Sequence, residues 1–171
     1  MANRNIILIG FMGTGKSSVG TSLARELAMQ FLDMDNVIVE RKGKPIPAIF
    51  AEDGEPHFRA LERDLVRELS ARDGLVVATG GGIVLNPDNI RDFSRTGLAV
   101  CLNATPETIL ARVGHDTNRP LLAVPDKMGK IRSLLDARRP LYAAVPNQVD
   151  TNGLSVEQVV GRIVSLYRTT G

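Results

Sequence analysis

The sequence predicts an α/β fold in which a parallel sheet is covered by helices on both faces. Short apolar runs alternate along the chain with longer segments whose apolar residues recur at helical spacing. The first run, residues 6–9, contains only isoleucine and leucine, which is typical of a central parallel strand buried on both sides. With 171 residues, 43% of them apolar, the chain suffices for one domain with one core.

A glycine-rich segment follows the first strand. Residues 10–17 read Gly-Phe-Met-Gly-Thr-Gly-Lys-Ser, which is the spacing of a P-loop. In this motif the glycines turn backbone N–H groups toward phosphates, the lysine adds a mobile positive charge, and the last hydroxyl reaches Mg²⁺. Val19, Leu23 and Leu27 predict the helix that the motif requires. The sequence therefore predicts a nucleoside triphosphate site, and disfavours a glycine turn without a ligand.

The second strand, predicted at residues 31–35, carries two carboxylates. Asp33 and Asp35 stand two residues apart, which places both on one face of an extended segment. A strand end beside a phosphate loop is where α/β sheets bind ligands. The alternative is a polar strand end at which Asp35 caps the following helix. The residues alone leave both interpretations open.

A helical excursion is predicted over residues 36–72, far longer than a crossover between parallel strands needs. Its length favours a binding role. Arg59 and Glu62 lie three residues apart within it and can pair on a helix. An arginine held in this way can face a planar anion such as a carboxylate, or it can simply lie at the surface. The sequence leaves these two interpretations equally open.

Three consecutive glycines, Gly80, Gly81 and Gly82, follow the third strand, which is predicted at residues 75–79. Glycines at the carboxyl end of a parallel strand allow a ligand to approach the backbone closely and to meet its N–H donors. A flexible turn is the alternative, and it explains one glycine better than three.

The second half of the chain continues the alternation of strands and helices. Helix starts are predicted at Pro87, Pro106 and Ser155, and the fourth and fifth strands lie around residues 98–102 and 148–150. Periodicity lapses over residues 114–125, which predicts a mobile lid. The arginines near the end of the next helix, at 138 and 139, either complement the helix dipole or bind an anion.

Composition narrows the class of partner. The formal charge is +2 and the basic residues are scattered, so we expect anionic small molecules rather than nucleic acid. The one cysteine, Cys101, lies in an apolar run and is predicted in the core, and two histidines cannot build a histidine-rich metal site. No apolar run is long enough to cross a bilayer, and the N-terminus does not have the pattern of a signal peptide. We expect a cytoplasmic monomer without membrane or nucleic-acid partners.

Together these motifs resemble the shikimate kinase family over nearly the full chain. The P-loop alone is shared by many chemistries, but an Asp-x-Asp, a Phe-Arg-x-x-Glu and a triple glycine in this order are far more specific. The segments that carry the resemblance are residues 10–17, 33–35, 54–62, 80–82, 119–122 and 138–142. The resemblance implies a P-loop kinase fold like that of nucleoside monophosphate kinases, with a five-stranded parallel sheet in the order 2-3-1-4-5. It also implies transfer of the γ-phosphate of ATP to the 3-hydroxyl of shikimate, in aromatic amino-acid (chorismate) biosynthesis.

The resemblance further implies one kinase domain over residues 1–171, with a substrate-binding excursion at about 36–72 and a lid at about 112–125. Asp35 resembles the residue that aligns the hydroxyls and accepts the proton, and Glu62 the residue that orients Arg59. The residues with implied catalytic roles are Asp35, Lys16 and Arg119. Those implied to bind ATP are Gly13, Thr14, Gly15, Lys16, Ser17, Ser18, Arg112 and Arg119. Those implied to bind shikimate are Asp35, Arg59, Gly80, Gly81, Gly82 and Arg138, and those implied to hold Mg²⁺ are Ser17 and Asp33.

Two other functions compete with this one. Another small-molecule kinase of the same fold, for gluconate or a nucleoside monophosphate, would not call for two arginines that converge on a carboxylate. A nucleotide-dependent switch would order its loops around GTP or ATP, but the sequence lacks the Asn-Lys-x-Asp segment that reads guanine.

Overall fold

The computed structural model of the chain describes residues 3–116 and 119–171. Five strands form one parallel sheet in the order β2-β3-β1-β4-β5, so the order implied by the resemblance is confirmed. The strands are β1 (Asn5–Ile9), β2 (Gln30–Asp33), β3 (Leu75–Ala78), β4 (Gly97–Asn103) and β5 (Asn147–Asp150). β1 lies at the centre, and every residue of it is buried.

Helices connect the strands and cover the sheet. They are α1 (Lys16–Leu27), α2 (Met34–Lys42), α3 (Ile46–Asp53), α4 (Glu55–Ser70), α5 (Pro87–Thr96), α6 (Pro106–Val113), α7 (Lys127–Ala143) and α8 (Val156–Thr169). Short 3₁₀ turns occur at Ile83–Leu85 and Pro120–Leu122. The predicted excursion between β2 and β3 is thus three separate helices.

The core has two layers, one on each face of the sheet. Ile7 and Ile9 of β1 contact a cluster shared with α4, α5 and α7, whereas Ile6 and Leu8 contact a cluster shared with α1 and α8. This division follows from the period of two along a strand. The prediction of helices on both faces is confirmed, and Cys101 is fully buried in the core as expected.

The boundary between β2 and α2 differs from the prediction. The strand ends at Asp33, and α2 begins at Met34, so the prediction that Asp33 and Asp35 share one face of a strand is wrong. The alternative, in which Asp35 caps the helix, is also wrong, because Asp33 is the N-cap. Its Oδ1 accepts hydrogen bonds from the backbone N–H groups of Asp35 (3.0 Å) and Asn36 (3.3 Å). A carboxylate at this position satisfies the free donors of the first turn, so the helix starts earlier.

The other predicted helix starts are confirmed. Asn86, Thr105 and Ser155 cap α5, α6 and α8 with their side chains, and Ser155 forms a complete capping box with Gln158. The predicted lid includes residues 117 and 118, which lie outside the described residues. Over the described ranges, no helix has the length and apolar character needed to span a membrane. The assignment of 1–171 as one kinase domain with an excursion and a lid stays a prediction.

Candidate active site

The loop between β1 and α1 borders a cleft of about 690 Å³ at the carboxyl end of the sheet. Its glycines Gly13 and Gly15 have φ values of 77° and 97°, a region that residues with a side chain rarely adopt, so the turn requires glycine. Gly15 is the N-cap of α1 and has no side chain to occupy the first N–H groups of that helix. These donors and the positive end of the helix dipole suit an anion.

Lys16 supplies a positive charge at the same loop. Its Nζ donates to the carbonyl oxygens of Gly10 (2.6 Å) and Phe11 (2.9 Å). Burial lowers the pKa of Lys16 to about 8. The negative charge of Asp35 opposes this shift, and the positive charge of Arg119 adds to it. Lys16, Arg119 and the N-terminus of α1 therefore concentrate positive potential in one cleft, as a bound polyphosphate requires.

Ser17 and Asp33 form a pair of oxygen donors beside the lysine. Ser17 Oγ donates to Asp33 Oδ2 at 2.7 Å, and Asp33 Oδ1 accepts from a backbone N–H group in the first turn of α2. A hydroxyl and a carboxylate are ligands that Mg²⁺ accepts, so the pair fits a hard divalent cation. Within residues 3–116 and 119–171, no three His, Cys, Asp or Glu side chains gather into a metal site. A cation here would therefore complete its coordination with phosphate and water oxygens.

Asp35 lies where the cleft meets a smaller recess of about 80 Å³, and it lines both. Its Oδ1 is buried and has no hydrogen-bond partner among the described residues. Burial raises the pKa of Asp35, as does the charge of Asp33, whereas Lys16 lowers it. Because buried acceptors are almost always hydrogen-bonded, this oxygen suits the hydroxyl of a ligand.

Arg59 and Glu62 pair on α4 at the wall of the recess. Arg59 Nη1 donates to Glu62 Oε1 at 2.6 Å, and its Nη2 donates to the more exposed Glu55 at 3.0 Å. Only 1% of Glu62 is exposed, and burial raises its pKa to about 7 against the opposing effect of Arg59. The predicted pairing of Arg59 with Glu62 is confirmed.

Arg138 enters the recess from α7. It is 5% exposed, and its guanidinium carbon lies 6.0 Å from the centre of the Phe11 ring. In the part of the chain that the structure describes, no carboxylate lies within ion-pair distance of Arg138, whereas the exposed Arg139 pairs with Asp136 at 2.6 Å. Arg138 is therefore buried, whereas its neighbour Arg139 is exposed and paired. A surface role in complementing the helix dipole does not describe Arg138.

The triple glycine packs against these charged side chains. A Cβ atom on Gly82 would lie 2.4 Å from Arg59 Nη1, and one on Gly80 would lie 2.8 Å from Glu62 Oε2 and 3.1 Å from Asp35 Oδ1. The loop is rich in glycine because side chains of α4 and α2 occupy the space that Cβ atoms would need. Charged side chains therefore approach the backbone closely at Gly80 and Gly82, as expected for glycines at a strand end.

The other residues predicted to bind ATP lie at different positions around the cleft. Arg119 lines both the cleft and the recess, and its Nε donates to Asp116 at 3.0 Å. Ser18 lines the cleft. Thr14 is buried, and both its hydroxyl (2.8 Å) and its backbone N–H (3.3 Å) donate to the Phe11 carbonyl. Arg112 lines neither cavity but donates to the Gly13 carbonyl at 2.9 Å, which places it at the rim of the phosphate loop.

Comparison with known proteins decides the family. The family model described as shikimate kinase matches residues 12–168. The chain belongs to the shikimate kinase family. As a member of that family it is an ATP-dependent kinase, so the enzyme class expected from the sequence is confirmed.

Individual shikimate kinases match almost end to end. The shikimate kinase of Pelotomaculum thermopropionicum is 45% identical over 165 residues, which are 96% of this chain and 96% of that protein. Among solved structures, a shikimate kinase from Acinetobacter baumannii in complex with shikimate is 38% identical, with a TM-score of 0.94 over 98% of this chain and 94% of that one. A gluconokinase from Sinorhizobium meliloti, at 18% identity and a TM-score of 0.61 over 98% and 93%, shares the fold alone.

One residue of the site carried no role in the sequence expectations. Tyr142 is buried on α7, and its hydroxyl donates to the carbonyl oxygen of Gly81. The available signal was its spacing of four residues from Arg138, which places both side chains on one face of a helix.

Proposed function

We propose that this shikimate kinase transfers the γ-phosphate of ATP to the 3-hydroxyl of shikimate at Asp35, where the cleft joins the recess. The observation that carries the proposal is the position of this carboxylate between a cationic phosphate site and a recess with two arginines. One of its oxygens is buried and has no hydrogen-bond partner among the described residues. Phosphoryl transfer needs the two reactants aligned in line and their charge neutralised, more than it needs covalent help from the protein.

The recess holds the acceptor in this proposal. Arg59 and Arg138 grip the shikimate carboxylate, which supplies the ion-pair partner that Arg138 lacks among the side chains of the described residues. Glu62 fixes the guanidinium of Arg59 through the bond at 2.6 Å. The backbone N–H groups of residues 80–82 add donors, and the ring carbons meet Phe50 and Phe58, whose ring centres are 5.0 Å apart.

The cleft holds ATP. The loop N–H groups and Lys16 neutralise the β- and γ-phosphates, and Arg119 approaches them from the lid. Gly13, Thr14, Gly15 and Ser18 take part in the phosphate cradle, and Arg112 at its rim packs against the adenine. Ser17 and Asp33 are the residues that would hold Mg²⁺, which when bound neutralises charge on the phosphate oxygens.

Asp35 aligns the 3-hydroxyl and accepts its proton as the oxygen attacks phosphorus. The raised pKa of this carboxyl supports the role, because a stronger base accepts a proton more readily. Closure of the predicted lid over residues 112–125 excludes water, which would otherwise hydrolyse ATP. We further propose that the enzyme works as a cytoplasmic monomer on small molecules, without nucleic acid or membrane, in line with its formal charge of +2.

A turnover assay with purified protein, ATP and Mg²⁺ tests the proposal. Shikimate, gluconate and a nucleoside monophosphate are offered as acceptors at equal concentration, and the product is identified by phosphorus NMR. We expect turnover of shikimate alone, with the new phosphate on the 3-oxygen. Faster turnover of gluconate or of the nucleotide, or phosphate on another oxygen, would contradict it.

A further inference from the structure

Tyr142 lies behind the acceptor recess and does not line it. The residue is 4% exposed, and its hydroxyl donates to the Gly81 carbonyl. Arg138 lies one helical turn earlier on α7, and its Nη1 lies 3.8 Å from where a Cβ atom on Gly81 would stand, so both side chains lie next to Gly81. The hydroxyl of Tyr142 therefore holds the glycine beside which the guanidinium of Arg138 lies.

The hydrogen bond from Tyr142 fixes the direction of a peptide group in the loop. The Gly81 carbonyl and the Gly82 N–H belong to one planar peptide group and point in opposite directions. Holding the carbonyl against α7 therefore turns the N–H away from α7. Glycines do not fix their own backbone direction, so an external hydrogen bond is needed to select one orientation.

The loop is restrained on its other side as well. Asn89 Nδ2 donates to the Ile83 carbonyl at 3.1 Å, and Asn89 Oδ1 accepts from Arg63 Nη1 at 3.3 Å. These bonds tie the end of the loop to α5 and α4. The bond from Tyr142 is the one that ties its middle to the helix that carries Arg138.

We propose that Tyr142 is a positioning residue for acceptor binding, whose hydroxyl sets the peptide between Gly81 and Gly82 and, through the glycine it holds, the surroundings of the guanidinium of Arg138. The inference rests on the proposed role of Arg138 and the glycine loop in binding the shikimate carboxylate. Burial raises the pKa of Tyr142 to about 12 while Arg138 opposes the rise, so the hydroxyl keeps its proton at working pH and the donor is present.

The test compares two tyrosine substitutions. Tyr142→Phe removes the hydroxyl and keeps the ring. Tyr167→Phe is the matched control, because its hydroxyl also donates to a backbone carbonyl, that of Arg4 at 3.2 Å, just before the amino end of β1. We expect Tyr142→Phe to raise the KM for shikimate roughly fivefold to tenfold, the range for one lost hydrogen bond, with the KM for ATP unchanged. Tyr167→Phe should leave both values unchanged.

A double-mutant cycle separates positioning from general stability. If Tyr142 acts through Arg138, the effect of Tyr142→Phe on the KM for shikimate shrinks in an Arg138→Lys background, whereas independent effects multiply. Equal effects in both backgrounds would overturn the link to Arg138. Thermal unfolding with and without shikimate adds a binding readout for a variant of low activity, and an unreduced stabilisation by shikimate in Tyr142→Phe would overturn the inference.

The same experiment also tests the proposed function. Arg138→Lys should raise the KM for shikimate by itself, because an ammonium cannot reproduce two parallel hydrogen bonds to a carboxylate. If Arg138→Lys raises this KM and Tyr142→Phe does not, the role of Tyr142 is refuted and the proposed site stands. If Arg138→Lys leaves it unchanged, the proposed carboxylate site itself is wrong.

Discussion

The phosphate end and the acceptor end of the site are built in opposite ways. At the phosphate end, a continuous loop and the helix that follows it, residues 10–18, supply backbone donors, a lysine and a hydroxyl. At the acceptor end, Arg59 comes from α4, Gly81 from the turn after β3 and Arg138 from α7, and these residues meet only because the sheet places those elements together. Local sequence specifies the first end, and chain topology assembles the second.

The two ends also differ in how they hold charge. Anion binding at the phosphate end uses backbone dipoles, which remain in place whether or not a ligand is present. The acceptor end buries whole charges, on Glu62 and Arg138. Glu62 is oriented by its hydrogen bond to Arg59, and both buried charges lie beside the glycine loop. Substitutions at the phosphate end should therefore reduce the chemical step, whereas those at the acceptor end should act mainly on affinity, stability and their pH dependence.

The largest effect is expected for Lys16→Ala. The substitution removes a cation from the phosphates as charge redistributes, and we expect kcat to fall on the order of 10³-fold or more. Steady-state turnover with shikimate measures it. Lys42→Ala is the control, because Lys42 is an exposed lysine at the end of α2. A Lys16→Ala enzyme within tenfold of the parent would contradict the assignment of this end to the transferred phosphate.

The next effect distinguishes Asp35 from Asp33. In the structure Asp33 is the N-cap of α2, whereas Asp35 lies in the first turn of that helix. Asp35→Asn should lower kcat by about 10² to 10⁴-fold, because the amide cannot accept the proton, while ATP affinity stays nearly intact. Asp33→Asn should instead weaken Mg²⁺-dependent ATP binding in a way that more Mg²⁺ partly restores. Asparagine is also a good N-cap, so this change should preserve the start of α2.

Titration of Mg²⁺ for both variants, with calorimetric measurement of ATP binding, distinguishes the two residues. Metal rescue of Asp35→Asn, or the same response from both variants, would refute the division of roles. The assignment as a kinase would survive that result, because it does not depend on which carboxylate holds the metal.

The sequence predicted the sheet, its helices and the phosphate loop because these depend on local apolar periodicity and on glycine spacing. The end of the second strand was misplaced because either of two carboxylates near a strand end can cap the next helix. In the structure Asp33 accepts from the backbone N–H groups of Asp35 and Asn36, so the helix starts directly after Asp33. The alternatives for Arg59 could not be resolved locally, since contact with Gly82 arises between elements that are distant in sequence. Tyr142 was missed for the same reason.

The smallest effect concerns the buried carboxylate of the acceptor end. The pKa of Glu62 rises from 4.5 to about 7 because burial disfavours its charge, although Arg59 opposes the rise. A carboxyl whose folded pKa is raised contributes stability that is present below its unfolded pKa and is lost as pH rises through the folded value. The parent should therefore lose stability relative to Glu62→Gln between about pH 5 and pH 8, by roughly 3 kcal/mol at most.

Urea unfolding of the two proteins at several pH values across that window measures this difference. Glu55→Gln is the matched control, because Glu55 bonds to the same arginine from a more exposed position. Its stability profile should run parallel to that of the parent, since the buried carboxyl is still present. The loss of the bond to Arg59 lowers the stability of Glu62→Gln by an amount that varies little over this range, so the slope of the difference with pH, not its size at one pH, reports the buried charge. Parallel profiles for the parent and Glu62→Gln would show that the acceptor end does not carry the cost of a buried charge, and the contrast between the two ends would then lie in topology alone.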